Sequence, residues 1–141
     1  MGTGPFSAQP KRVPSPFLLT CGTMTQASTF ADLTQALRDF AAERDWEQFH
    51  TPKNLAAALA VEAGEVLEHF QWLTAEQSLA LRDEARAKVA LELADVLLYL
   101  VRLADRTGID LEHAAREKLA LNALKYPADK ARGSARKYTE L

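Results

Sequence analysis

Cysteine is almost absent from this sequence, which contains a single one, Cys21. One thiol excludes an internal disulfide and any zinc site built from cysteines. No stretch approaches the roughly 20 consecutive apolar residues that a membrane-spanning helix needs. The formal net charge is only −2, so the chain lacks the basic field with which proteins grip DNA or RNA. These absences favour a cytoplasmic protein that binds neither a membrane nor a nucleic acid polymer.

Glycine and proline are also scarce, with six of each in 141 residues, and no run alternates in the way a half-buried strand does. Alanine, leucine, glutamate and arginine are abundant instead, which is typical of helical proteins. The length predicts one domain. We expect residues 1–28 to be a disordered leader or the product of a misplaced start codon, residues 29–127 to form an all-α domain, and residues 128–141 to form a basic C-terminal tail.

Hydrophobic periodicity and capping residues predict four helices joined by short loops. In order, they run from Ser28 or Thr29 to about Trp46, from Pro52 to about Trp72, from Thr74 or Ala75 to about Thr107, and from Asp110 to Pro127. A break in the third helix, within residues 75–90, is left open. The second and third helices are apolar almost all round, which marks them as the central pair of a four-helix bundle. A chain of this size has too few helices to cover that pair, so we expect an oligomer.

Acidic residues interrupt both central helices. Glu62 and Glu65 share one face of the second helix, and Glu92 and Asp95 share one face of the third, because residues three apart are neighbours on a helix. No lysine or arginine follows any of the four acids one turn later. Buried like charges cost several kcal/mol per ion unless a cation or proton compensates them. Carboxylates converging from two helices therefore suggest a Mg²⁺ site, with Mn²⁺ as an alternative.

Three other interpretations of these acids remain. Glutamates on helices commonly just face water. A di-iron site would use Glu-x-x-His pairs, but His69 lies four residues after Glu65 and one after Glu68, which is the wrong spacing. The chain could also be a catalytically silent interaction module whose acids hold a structural cation.

The spacing of the acids, E-x-x-E followed after 26 residues by E-x-x-D, resembles the MazG-like all-α nucleoside triphosphate pyrophosphohydrolases. The segments FAAERDWEQFHTPKNL, GEVLEHFQW, LADVLLYLV and ARGSARKYTEL are similar to the dCTP pyrophosphatase branch of that superfamily. The resemblance implies hydrolysis of deoxynucleoside triphosphates, chiefly dCTP, to the monophosphate and pyrophosphate. It also implies a homotetramer built as a dimer of dimers, and Mg²⁺ held by Glu62, Glu65, Glu92 and Asp95.

The same resemblance suggests contacts to the nucleotide. The residues assigned in this way are Trp46 and Trp72 for the base, with His50 and Phe70 as weaker candidates, Tyr99 for the deoxyribose, and Lys118 and Asn122 for the phosphates. Glu62 is our choice for the acid that orients the attacking water. The sequence departs from the family at two positions: Val61 stands where many relatives have a second glutamate, and Leu37 stands where vertebrate enzymes have a histidine that contacts the base.

Overall fold

The structure, a computed structural model, describes residues 30–140; the predicted leader and the proposed cap at Ser28 or Thr29 lie outside this range. Between residues 30 and 140 no strand occurs, which confirms the all-α class. The predicted count of four helices is not matched, since this part of the chain contains six. They are α1 (Phe30–Ala42), α2 (Pro52–Glu68), α3 (Ala75–Leu79), α4 (Asp83–Thr107), α5 (Leu111–Lys125) and α6 (Ala128–Ala131), followed by a short 3₁₀ helix (Tyr138–Glu140).

The first helix ends earlier than predicted, at Ala42 rather than near Trp46. Asp45 adopts a left-handed conformation with φ of 53°, and aspartate tolerates this conformation better than most residues do. The N–H of Trp46 donates to the C=O of Ala41 at 2.9 Å, and the N–H of Asp45 donates to the C=O of Ala42 at 3.1 Å. This paired hydrogen bonding is a common way to end a helix. It turns the chain so that the Trp46 ring packs on Phe40.

The break left open in the third predicted helix is present and separates α3 from α4. Thr74 caps α3 and forms a capping box with Gln77, in which each side chain accepts a hydrogen bond from the other residue's backbone N–H. The helix lasts only five residues, and the chain is extended at Arg82 before α4 begins. α4 then runs for 25 residues and ends at Gly108, whose φ of 68° is the left-handed conformation that glycine adopts without strain.

The predicted central pair is confirmed as α2 and α4, which form the most extensive contact among the described helices, while α1 packs on α4. Thr51 caps α2 and Pro52 begins it, but the helix ends at Glu68 instead of Trp72 and turns follow. The buried apolar side chains are Ala41 of α1, Leu55 of α2, and Val89, Val101 and Ala104 of α4. The contact between α2 and α4 sets the register of the two helices, and hence the positions of the acids that both helices carry.

The fourth predicted helix corresponds to α5, with Asp110 as its cap and Pro127 just beyond its end. The Asp110 carboxylate accepts a hydrogen bond from the N–H of His113 at 2.9 Å. α5 makes no comparably extensive contact with another described helix, and Leu119 and Leu124 are 70% and 77% exposed. None of the helices between residues 30 and 140 combines the length and apolar character needed to cross a bilayer.

Candidate active site

Three of the four predicted acids converge between the central helices. Glu62 and Glu65 come from α2 and Glu92 comes from α4, and one potential ligand atom of each lies within 4.8 Å of the others. Glu62 and Glu92 are half-buried, whereas Glu65 is exposed. Asp95 follows Glu92 by nearly one turn and lies outside this group, but it is close enough for its charge to act on Glu62. The four form what we call the acidic cluster.

The acidic cluster has little positive charge to balance it. Burial raises the pKa of Glu62 above its ordinary value, and repulsion by Glu65, Asp95 and Glu92 raises it further. Within residues 30–140 no lysine or arginine forms an ion pair with any of the four acids. The nearest basic group is His69, whose Nε2 lies 3.9 Å from Glu92 Oε1, beyond hydrogen-bonding distance. Folding therefore holds several carboxylates close together against their mutual repulsion.

The ligand atoms of the acidic cluster suit a hard divalent cation. All of them are carboxylate oxygens, which Mg²⁺ and Mn²⁺ prefer, and no cysteine lies among them. Mg²⁺ commonly uses a few carboxylates and keeps its other positions for water and substrate phosphates. Since Glu65 is exposed, the cluster opens to solvent and leaves room for such ligands. The residues thus fit the predicted metal.

A cavity of about 180 Å³ adjoins the acidic cluster. Asp95 and Tyr99 of α4 line it, together with Trp46 and His50 of the loop between α1 and α2. The Trp46 ring meets the His50 ring edge-on, with centroids 6.2 Å apart. Leu37 also lines this cavity. We call it the base cavity, because three of the residues that the sequence assigned to the nucleoside meet there beside a predicted metal ligand.

The other residues predicted to contact the nucleotide do not line the base cavity. Trp72 is 87% exposed and does not line it. Phe70 is half-buried and also lies outside the lining. Lys118 and Asn122 are exposed on α5, and neither forms a hydrogen bond or ion pair with the acidic cluster within the described part of the chain.

The sequence reasoning missed Arg102, which lines the base cavity and is only 3% exposed. Its guanidinium contacts Glu47, His50 and Asp105. A signal was available in the sequence, because Asp95, Tyr99 and Arg102 follow one another at spacings of four and three and so share one face of α4. This spacing places Arg102, in the apolar part of α4, on the same face as the predicted site residues Asp95 and Tyr99.

Known proteins resemble this chain in sequence and in fold. The profile of the MazG-like family matches residues 57–141. Human dCTP pyrophosphatase 1 is 50% identical over 115 residues, which are 80% of this chain and 68% of the human protein. The rat protein of the same name is 47% identical over 115 residues, with the same coverage. A crystal structure of a pyrophosphatase from Archaeoglobus fulgidus superposes with a TM-score of 0.67 at 34% identity and covers 75% of this chain and 99% of that one.

Removing single acids should weaken metal binding. We expect Glu65→Gln and Asp95→Asn each to lower the affinity for Mn²⁺ by at least roughly tenfold, measured by calorimetric titration. The metal-free variants should unfold at the same or higher denaturant concentration than the wild type, since each change relieves repulsion. Glu68→Gln is the matched control, because Glu68 is an exposed acid of α2 outside the cluster. Unchanged Mn²⁺ affinity in both test variants would show that the metal binds elsewhere.

The raised pKa of Glu62 predicts a pH dependence of the metal-free protein. The stability that a protonated Glu62 contributes is complete below the ordinary value of 4.5 and is lost as the pH rises through the folded pKa. The gain in unfolding free energy from Glu62→Gln should therefore grow as the pH rises above 4.5 and then level off. With saturating Mg²⁺ the wild type should become more stable than the Glu62→Gln variant, because the wild type binds the ion more tightly. A gain in unfolding free energy that stays constant with pH would contradict the repulsion of Glu62 by the other acids.

Proposed function

Because this chain belongs to the MazG-like family, we propose that it is a Mg²⁺-dependent enzyme that hydrolyses deoxynucleoside triphosphates, chiefly dCTP, to the monophosphate and pyrophosphate. The observation that carries the proposal is the position of the acidic cluster beside the base cavity. A site of this kind can hold a metal and phosphates at one end and a nucleoside at the other. The residues matched by the family include all four acids, and relatives that bear the name dCTP pyrophosphatase 1 support the choice of nucleotide.

The reaction is a displacement at the α-phosphorus. Water attacks that phosphorus, the bond from it to the bridging oxygen of the β-phosphate breaks, and pyrophosphate leaves. We assign Glu62 to orient the water and accept its proton, because its half-buried carboxylate lies within the cluster that would hold the metal. Glu62, Glu65, Glu92 and Asp95 would together hold Mg²⁺, which would neutralise charge on the phosphates and help to lower the pKa of the attacking water.

The nucleoside end of the substrate occupies the base cavity in this proposal. Trp46 offers an aromatic face to the base and Tyr99 packs beneath the deoxyribose, where a 2′-hydroxyl would clash. Both side chains line the cavity, together with His50. Lys118 and Asn122 remain our proposed phosphate ligands. Their exposure on α5 leaves both side chains accessible to a nucleotide.

We further propose a homotetramer, built as a dimer of dimers, in the cytoplasm. Few apolar side chains are fully buried within residues 30–140, whereas many large ones are exposed. A groove of about 590 Å³ separates α4 from α5 and is lined mainly by apolar residues, among them Phe30, Leu97, Leu100, Leu111 and Leu119. Leaving this much apolar surface in water is unfavourable, so a second copy of the chain is the occupant that we propose for it.

The bond that is cleaved tests the proposed reaction. With dCTP and Mg²⁺ we expect dCMP and pyrophosphate as the first products, and in water labelled with ¹⁸O the label should enter dCMP. The same assay across the other nucleoside triphosphates should rank dCTP first. Initial release of dCDP and orthophosphate would identify an ordinary phosphatase. Failure to release pyrophosphate from any nucleotide would favour a silent metal-binding module.

The assembly and the base cavity are tested together by one variant. Light scattering at micromolar concentration should give a mass near four chains for the wild type. Trp46→Ala should raise the KM for dCTP while leaving that mass unchanged. The family resemblance also implies a base pocket that borrows residues from a neighbouring chain, with Trp46 as the expected one; within residues 30–140 its ring lines the base cavity of its own chain and packs on Phe40. Phe49→Ala is the control, because Phe49 is an exposed aromatic residue of the same loop that does not line the cavity. A monomer with full activity would contradict the proposed tetramer.

A further inference from the structure

Arg102 is the one charged residue within residues 30–140 that is fully buried, with 3% of its surface exposed. Burying a charge is unfavourable unless partners satisfy it. Its Nη1 donates to Asp105 Oδ2 at 2.7 Å, its Nη2 donates to Glu47 Oε1, and its Nε donates to His50 Nδ1 at 3.3 Å. Two acids thus balance its charge, and the third contact goes to a neutral acceptor that lines the base cavity.

The contact with His50 determines where the imidazole carries its proton. An arginine has no acceptor, so Nδ1 of His50 accepts through its lone pair and carries no hydrogen. A neutral imidazole with a bare Nδ1 carries its proton on Nε2. Burial lowers the pKa of His50, and the positive charge of Arg102 lowers it further, which favours the same neutral form. Nε2–H is then the donor that His50 has left to offer a ligand.

Surrounding ion pairs hold Arg102 in place. Asp105 also pairs with Arg38 of α1 at 2.5 Å, and Glu47 also pairs with Arg106 at 2.7 Å. Hydrogen bonds from Arg38 lower the pKa of Asp105, so this acid stays ionised at neutral pH. Each acid therefore contacts two guanidinium groups, and the network joins α1, the following loop and α4. With its charge and position fixed in this way, Arg102 presents its Nε to His50 in one orientation.

The ion-pair network reaches the base cavity through Arg102, which lies on the same face of α4 as Glu92 and Asp95 of the acidic cluster. Asp95, Tyr99 and Arg102 all line the cavity from that helix. His50 lines it from the loop between α1 and α2, and within residues 30–140 no protein group accepts a hydrogen bond from its Nε2. An unoccupied donor beside the cavity is available to whatever enters it. This Nε2–H suits a hydrogen-bond acceptor on a planar ring, because Trp46 supplies an aromatic ring next to His50.

We propose that Arg102 is a positioning residue for the nucleotide base: it holds His50 as the tautomer with its proton on Nε2, so that the imidazole donates one hydrogen bond to an acceptor on the edge of the base. This inference rests on the proposed function, because that function supplies the nucleotide. Pyrimidine edges present carbonyl oxygens, and cytosine adds a ring nitrogen that accepts a hydrogen bond. A site that offers a fixed donor rejects analogues that lack the matching acceptor.

The first test is spectroscopic and needs no active enzyme. The chain contains three histidines, so protein labelled with ¹⁵N-histidine gives three imidazole patterns, and His50→Phe identifies the one of interest. A long-range ¹H–¹⁵N correlation spectrum at pH 7.5 should show His50 with a protonated Nε2 and a bare Nδ1. Arg102→Met should convert this single form into a mixture of tautomers. Arg106→Met is the matched control and should leave the pattern unchanged, because Arg102 remains in contact with His50.

The second test is kinetic and asks whether Arg102 acts through His50. Arg102→Met and His50→Phe should each lower kcat/KM for dCTP by roughly five- to tenfold, mainly by raising KM, which is the size expected for one hydrogen bond. The double variant should lose little more than either single one. Arg106→Met should stay within roughly threefold of the wild type. The Arg102→Met protein should fold, since Arg38 and Arg106 still pair with Asp105 and Glu47.

Either of two results would overturn the inference. A wild-type spectrum with the proton on Nδ1, or on both nitrogens, would contradict the tautomer whatever the variants do. If the losses in kcat/KM from Arg102→Met and His50→Phe add up in a double variant that is still active, Arg102 supports the fold or touches the nucleotide by itself. Absence of dCTP hydrolysis in the wild type is a different result, because it would refute the proposed function while the spectrum still decides the state of His50.

Discussion

Repulsion among the carboxylates of the acidic cluster is the constraint on which the rest of this structure depends. The apolar contact between α2 and α4 fixes the register of the two helices, and that register places Glu62 and Glu65 opposite Glu92. The raised pKa of Glu62 reflects the resulting burial and repulsion. Helix packing therefore holds an unfavourable charge arrangement that a divalent cation would relieve, so we expect the stability of the fold and the binding of metal to be coupled.

One helix connects this charge to the recognition of a nucleoside. Along a single face α4 carries Glu92 and Asp95, then Tyr99, then Arg102. At 1.5 Å per residue, Arg102 lies about 10 Å beyond Asp95 along the helix axis. The proposed metal end and the proposed base end of the site are thus held by the same helix. The two ends also differ in how their charge is balanced: acids lack cations at the first end, and an internal ion-pair network satisfies Arg102 at the second.

Local patterns in the sequence predicted the parts of the structure that depend on near neighbours. Spacing and the missing basic partners identified the acids, and capping residues located the starts of α2, α3 and α5. The end of α1 was missed because aspartate, not glycine, takes the left-handed position at residue 45. The spacing after Asp95 and Tyr99 places Arg102 on the site face of α4, but its ion pair with Glu47, 55 residues away, is seen only in the folded chain. Trp72 and Lys118 are exposed and do not line the base cavity in the described part of the chain, so their contacts to a nucleotide stay predictions.

The coupling of the acidic cluster to a metal is tested most directly by a crystal structure of the protein grown with Mn²⁺ and recorded where manganese scatters anomalously. Our account predicts that the strongest anomalous peak lies between α2 and α4, within coordination distance of carboxylate oxygens of Glu62, Glu65 and Glu92. Manganese bound elsewhere would contradict it. So would a cluster without manganese whose acids are neutralised by lysine or arginine side chains of a neighbouring subunit, because the repulsion would then be relieved by the protein itself.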